Sequence, residues 1–327
     1  MTSLPRVGFL GTGWIGRHRM EAMVATGAIE AAAIADASPE MQAEALKAAP
    51  GAEVVDGLDG LLALRLDGIV IATPSALHAE QSIRALESGA AVFCQKPLGR
   101  TADEARAVVE AARAADRLLA VDFSYRFTEG MQRIRELLAA RELGQIYAVD
   151  LVFHNAYGPD KAWFYDPALS GGGCVMDLGV HLVDLALWAL DFPDVDDVTS
   201  QLLAAGAPLT GGKVEDYAAA ALTLEGGASV RLACSWRLQA GQDAVISASF
   251  YGTEGGASLS NVGGSFYDFT AERFRGTSRE PLASPPDEWG GRAAADWARR
   301  LAAGERFDTQ AERLIEVTRV LDRIYGR

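Results

Sequence analysis

The sequence predicts an α/β protein in two parts: a doubly wound, mostly parallel sheet over residues 1–124, then an α+β portion over residues 125–327. Three observations predict it. A chain of 327 residues exceeds one ordinary core and suits two domains. Over the first 125 residues, short apolar runs alternate with stretches rich in Ala, Glu and Leu, the rhythm of repeated strand–helix units. After Phe127 the rhythm changes to strand-like segments with no helix between them.

In the first part the strands are expected at Arg6–Leu10, Ile29–Ala35, Gly68–Ala72, Ala91–Cys94 and Leu118–Phe123, with a very short one near Glu53–Asp56. Helices are expected over Glu40–Ala49, Ala76–Glu87 and Ala102–Ala115. The second part opens with a helix (Glu129–Ala140) and a strand (Ile146–Phe153). A polar, aromatic loop follows, carrying His154, Asn155, Tyr157, Lys161 and Trp163, and then a helix from near Asp177. Strands are expected at Tyr217–Leu224, Ala228–Leu238 and Ala244–Tyr251. Gly226-Gly227 joins the first two as a two-residue hairpin turn, which makes the pair antiparallel. The chain closes with helical stretches over Arg292–Ala303 and Thr309–Ile324.

Half the residues are apolar (49%) and 23% are charged, the profile of a globular chain. Lys plus Arg number 30 against 44 Asp plus Glu, a balance of −14 that argues against a nucleic-acid or anionic-membrane partner. No apolar run is expected to reach the roughly 18 residues of a membrane span. Residues Val7–Gly16 lack the charged leader of a signal peptide. Cys94, Cys174 and Cys234 are odd in number and widely spaced, which fits neither a disulfide framework nor a metal knuckle and suggests a reducing, cytoplasmic setting.

Gly11-Thr12-Gly13-Trp14-Ile15-Gly16 follows the first strand and opens a helix, the context that gives a G-x-G-x-x-G its meaning. The first glycine permits a tight turn, the second lets backbone approach a pyrophosphate, and the third lets helix and strand pack closely. Asp36 ends the second strand twenty residues after Gly16. A carboxylate there accepts hydrogen bonds from an adenosine ribose and repels a 2′-phosphate, which favours NAD over NADP; capping the next helix is the other reading. Thr73-Pro74 follows the fourth strand as an ordinary helix start would, with His78 one turn on, a structural residue or a cofactor contact. Lys96-Pro97 follows the fifth strand, where an ammonium can stabilise developing negative charge or simply be solvated.

Gly171-Gly172-Gly173 precedes Asp177, His181 and Asp184, whose spacing puts all three on one helix face. A histidine between carboxylates is a candidate general base. The competing readings are a zinc site and a packed core helix with Asp177 as its cap. The chain has four histidines and no H-E-x-x-H, so no metal ligand is assigned.

Together the glycine loop, Thr73-Pro74-x-x-x-His78, Lys96-Pro97, Arg126-Phe127 and the glycine run before Asp177-x-x-x-His181 resemble the glucose–fructose oxidoreductase / inositol dehydrogenase (Gfo/Idh/MocA) family from end to end. The resemblance implies an N-terminal Rossmann dinucleotide-binding domain and a C-terminal α+β domain with an open, largely antiparallel sheet. It also implies an NAD-dependent dehydrogenase acting on a secondary hydroxyl of a sugar, cyclitol or related polyol, and a homo-oligomer. Lys96, Asp177 and His181 match the family's catalytic positions, His181 taking the hydroxyl proton and Lys96 polarising the oxygen. Gly11, Gly13, Trp14, Ile15, Gly16, Asp36, Thr73, Pro74, His78 and Lys96 are expected to bind the cofactor. Arg126, His154, Tyr157, Lys161 and Trp163 are expected around the substrate by position. Two departures stand out: Gln95 replaces the family's Glu before Lys-Pro, and Ser124-Tyr125 replaces its frequent Asn before Arg-Phe. An NAD-dependent glycosidase using transient oxidation and a non-catalytic dinucleotide sensor are the rival readings.

Overall fold

The computed structural model describes residues 3–327. They form two compact units. One runs to Asp122 and takes in Gly291–Ile315; the other holds Phe123–Gly290 and Glu316–Arg327.

In the first unit six strands alternate with five helices. The strands are β1 (Arg6–Leu10), β2 (Glu30–Ala35), β3 (Glu53–Val54), β4 (Gly68–Ile71), β5 (Ala91–Cys94) and β6 (Leu119–Val121). The helices are α1 (Trp14–Ala25), α2 (Pro39–Ala48), α3 (Gly57–Ala63), α4 (Ser75–Glu87) and α5 (Ala102–Ala115). The sheet order is β3-β2-β1-β4-β5-β6, with every pairing parallel. Both faces are covered, so β4 (Gly-Ile-Val-Ile) and β5 (Ala-Val-Phe-Cys) are buried at every position. The order reverses between β1 and β4, and ligands of such sheets bind beyond the carboxyl ends at that point.

The second unit contains α6 (Glu129–Ala139), β7 (Ile146–Asn155), the single turn α7 (Pro167–Ser170) and α8 (Val180–Ala189). Then come β8 (Val195–Ala204), β9 (Ala207–Pro208), β10 (Tyr217–Leu224), β11 (Ser229–Ser235), β12 (Ala244–Gly252), β13 (Gly256–Asn261), β14 (Phe269–Arg275) and β15 (Ser278–Ala283). They build a nine-stranded sheet, β15-β14-β13-β12-β7-β11-β10-β8-β9, antiparallel except where β7 meets β11. Val149, Leu151 and Phe153 of β7 and Val230, Leu232 and Cys234 of β11 are buried, and α8 packs on these two strands.

Helix α9 (Arg292–Ala302) and helix α10 (Arg313–Tyr325) end the chain. A single cut near residue 124 does not describe the units, because α9 packs on α1 and β5 of the first. Its Trp297 is wholly buried, 5.9 Å from the Phe93 ring, and a Cβ on Gly68 would come within 2.7 Å of it. A large indole thus fills a space that the absent side chain of β4 leaves open.

Two smaller expectations are corrected, and one contact is added that the sequence does not show. The β10–β11 hairpin encloses three residues, Glu225 to Gly227, since Leu224 N donates to Ala228 O at 2.9 Å. Both of its glycines take φ of +86°, the left-handed region that a side chain resists. The stretch Pro167–Ala189 is long and apolar enough for a membrane span, but 94% of its most apolar window is buried and α8 is its core. Cys174 and Cys234, distant in sequence, meet as reduced thiols with Sγ atoms 3.8 Å apart.

Candidate active site

The glycine loop leaves β1 at the point where the strand order reverses. Gly11 has φ +83°, and a Cβ there would lie 2.6 Å from Ala72 O. A Cβ on Gly16 would lie 2.1 Å from Gly11 O. Those two glycines are required by the protein itself. Gly13, at the N-cap of α1, faces open space instead, so its backbone is free to meet a phosphate at a helix N-terminus. The residues fit a dinucleotide pyrophosphate. Trp14 projects into solvent (59% exposed) and stacks on His18, while Ile15 is half-buried.

Asp36 serves the loop as well as any ligand. Its Oδ2 accepts from Thr12 N at 2.6 Å and its Oδ1 from Ser38 N at 2.8 Å, and Ser38, not Asp36, caps α2. The carboxylate is therefore held rigidly at the end of β2. Thr73 does not cap α4 either. Its hydroxyl donates to Gln81 Oε1 at 2.6 Å, Pro74 holds the N-cap position, and the helix starts at Ser75. His78 is buried, its ring nitrogens each 2.7 Å from a carbonyl, Pro97 O and Thr73 O. Lys96 follows β5 and precedes Pro97 through a cis peptide.

Gln95, the departure beside Lys96, belongs to a buried polar group that sequence reading does not reveal. Its amide donates to Asp122 Oδ2 at 2.7 Å, and the same oxygen accepts from Arg19 Nε at 2.6 Å. The amide at position 95 gives Asp122 a second donor beside Arg19, which a carboxylate there would not supply.

In the second unit the glycine run has a specific purpose. Glu215, fully buried, accepts from Gly173 N (3.0 Å), Val175 N (2.9 Å) and Tyr325 OH (2.7 Å). It caps, from another segment, the helical turns that carry Asp177 and His181. Gly173 must lack a Cβ because one would lie 1.9 Å from Glu215 O. Burial pushes the Glu215 pKa up, against the hydrogen bonds that favour its ionised form.

Residues Val175–Gly179 wind as a π turn before α8 begins. Asp177 sits inside that turn and accepts from Trp236 Nε1 at 3.0 Å, so it is not a helix cap. Trp236 is itself buried beside Tyr165 and Phe164. His181 is 7% exposed and lies edge-on to Tyr125, ring centres 4.9 Å apart, with Phe153 beyond at 6.4 Å. Tyr125, the second departure from the family pattern, also packs on Trp289 and Phe269.

The structure separates several residues expected to work together. Asp184 does not flank His181 as a free carboxylate. It is bonded by two guanidinium nitrogens of Arg126, with Nε to Oδ2 at 2.8 Å, and both are largely buried. Arg126 is thereby tied to the fold through Asp184. The turn Ser124–Phe127 so fastens onto α8 twice, Tyr125 against His181 and Arg126 against Asp184. His154 turns to the sheet face opposite the buried residues of β7, bonding Ser235 Oγ at 2.8 Å and stacking on Tyr217; burial lowers its pKa. Tyr157 donates to Asp243, which raises the phenol's pKa, and Lys161 is exposed beside Asp160. Trp163 stacks on Phe164 at 3.8 Å and so joins the aromatic group that reaches Asp177 through Trp236.

A strand order of 3-2-1-4-5-6, a glycine loop open at Gly13 and an acid ending β2 define a nicotinamide-dinucleotide-binding Rossmann unit. The chain belongs to the Gfo/Idh/MocA oxidoreductase family. Residues 5–123 match the model of the oxidoreductase family with an NAD-binding Rossmann fold, and residues 131–258 match the GFO/IDH/MocA C-terminal domain. The chain is 31% identical over 275 residues to D-glucoside 3-dehydrogenase of Escherichia coli strain K12, covering 79% of this chain and 78% of that one. It is 31% identical over 189 residues to inositol 2-dehydrogenase 3 of Saccharopolyspora erythraea, covering 57% and 54%. Its fold superposes on the crystal structure of GenD2 from gentamicin A biosynthesis in complex with NAD with a TM-score of 0.82 and 25% identity, over 100% of this chain and 94% of the other.

Proposed function

We propose that this oxidoreductase uses NAD in preference to NADP to oxidise a secondary hydroxyl of a sugar, cyclitol or related polyol, or to run the reverse reduction. The observation that carries the reading is the likeness, across both units, to a D-glucoside 3-dehydrogenase. Bound NAD supplies the hydride acceptor. The amides at Gly13 and the N-terminus of α1 would hold its pyrophosphate, and Asp36 its adenosine ribose. His181 takes the hydroxyl proton as the carbinol hydrogen departs as hydride, leaving a carbonyl. Its place beside Tyr125 and Phe153 fixes the plane of the imidazole. Lys96 stabilises negative charge developing on the same oxygen. Asp177, held by Trp236, orients substrate or imidazole.

The test is incubation with NAD and a panel of glycosides, inositols and sugar acids, reading reduced nicotinamide by its near-ultraviolet absorbance. NADH formation with at least one panel member is expected. Sugar release from a glycoside without NADH would favour the glycosidase, and NAD binding with no turnover would favour the sensor.

A further inference from the structure

Two turns at the carboxyl edge of the first sheet, Thr73–Pro74 after β4 and Lys96–Pro97 after β5, are joined by one side chain. His78 lies in the first turn of α4 and is 1% exposed. Its Nε2 stands 2.7 Å from Thr73 O and its Nδ1 2.7 Å from Pro97 O. Both partners only accept. A neutral imidazole has one N–H and holds one carbonyl, whereas an imidazolium holds both. With both nitrogens facing backbone, the ring has none left for a dinucleotide, in contrast to the cofactor contact expected from the motif.

We propose that His78 is a positioning residue whose ring straps the Thr73–Pro74 turn to the Lys96–Pro97 turn and so fixes the backbone from which Lys96 projects. The assignment rests on the catalytic reading of Lys96 above. Both ends of the strap are anchored elsewhere too. Thr73 bonds Gln81 of α4, and Leu98, just past the second turn, is buried at 3% exposure. The charged groups around the ring are Lys96 at the β5 edge and Glu104 of α5, the latter paired with Arg100. Burial pushes the His78 pKa down, with Lys96 adding to it. The two carbonyls and Glu104 oppose without prevailing. The neutral ring bonds one carbonyl through its N–H and packs against the other, so it sits between the two turns without a second proton.

The experiment compares wild type with His78→Ala and His78→Gln, the glutamine keeping an amide donor should the alanine variant fail to fold. Backbone amide exchange of the cofactor-free protein is expected to quicken around residues 73–77 and 97–100, and little elsewhere. NAD affinity should fall much less than kcat, because the glycine loop and Asp36 do not touch His78 and only the Thr73–Pro74 and Lys96 contacts are loosened. The kcat should fall by about 10²-fold, the scale of a misplaced catalytic group, and added imidazole should restore part of it in His78→Ala but not in Lys96→Met. Unchanged exchange at the two turns, or quickened exchange with unchanged kcat, overturns the proposal. So does a loss confined to NAD affinity, which would make His78 a cofactor ligand. A wild type that neither binds NAD nor turns over refutes the functional reading instead, and the exchange data then decide the strap alone.

Discussion

Replacing Arg126 with methionine separates a structural arginine from a substrate-binding one. The Asp184 side chain is 2% exposed and Arg126 20%, and the guanidinium also lies 5.0 Å from the Phe123 ring centre and 5.7 Å from those of Trp188 and Phe192. Methionine keeps much of the stem that packs on these rings but strands the carboxylate. Removing one partner of a buried pair costs about 3–5 kcal/mol. The cost has a pH signature. Burial already holds the Asp184 pKa above its ordinary 3.8, against the pull of Arg126. A carboxyl whose folded pKa is raised contributes stability fully below its unfolded value and loses it as pH rises through the folded one. Without Arg126 the folded value climbs further, so the variant's deficit should be largest at neutral pH and shrink toward pH 3.8. Urea denaturation of both proteins at neutral and acid pH measures this. A variant as stable as wild type at neutral pH, with a raised substrate KM, would make Arg126 a substrate contact and not a structural one.

Further outcomes follow from the same geometry. Asp36→Ala with Ala37→Arg should narrow or reverse a preference for NAD over NADP, checked by titration with both cofactors; equal affinities in the unmodified protein would contradict the role of Asp36. Gly13→Ala, with open space around its Cβ, should fold normally and bind NAD weakly, whereas Gly16→Ala should lose stability through its clash with Gly11 O, a difference that thermal melts with and without NAD resolve. Lys96→Met should keep NAD binding while kcat falls on the order of 10²-fold or more, as for loss of one preorganised donor. His181→Asn should lose roughly 10²–10⁴-fold in rate together with the acid limb of the kcat/KM profile, since only the neutral imidazole accepts a proton.

Most of the first unit is legible because strands covered on both faces read as unbroken apolar runs, and β1, β4, β5 and α5 stand where those runs and their intervening helical stretches put them. The allegiance of α9 is not legible: it depends on Trp297 meeting Gly68 and Phe93, a contact no local pattern encodes. In the second unit β10 and β12 alternate cleanly and are readable, while β8 and the edge strand β15 are largely exposed and carry no alternation. The glycine loop declares its site because Gly11 and Gly16 have steric reasons inside the fold while Gly13 leaves backbone open at a helix N-terminus. Glu215 does not, since nothing in the spacing joins it to Gly173. Arg126 and His154 illustrate the limit from the other side. Their types suit substrate binding, yet one is claimed by Asp184 and the other points off the opposite sheet face.

The proposed reaction is net hydride transfer from a carbinol carbon to NAD. Its most direct measurement uses a panel substrate carrying deuterium on the oxidised carbon, followed by mass analysis of the nicotinamide product. One deuterium is expected in the reduced cofactor for each substrate oxidised. Unlabelled cofactor, or substrate cleaved with no reduced cofactor released, would contradict it.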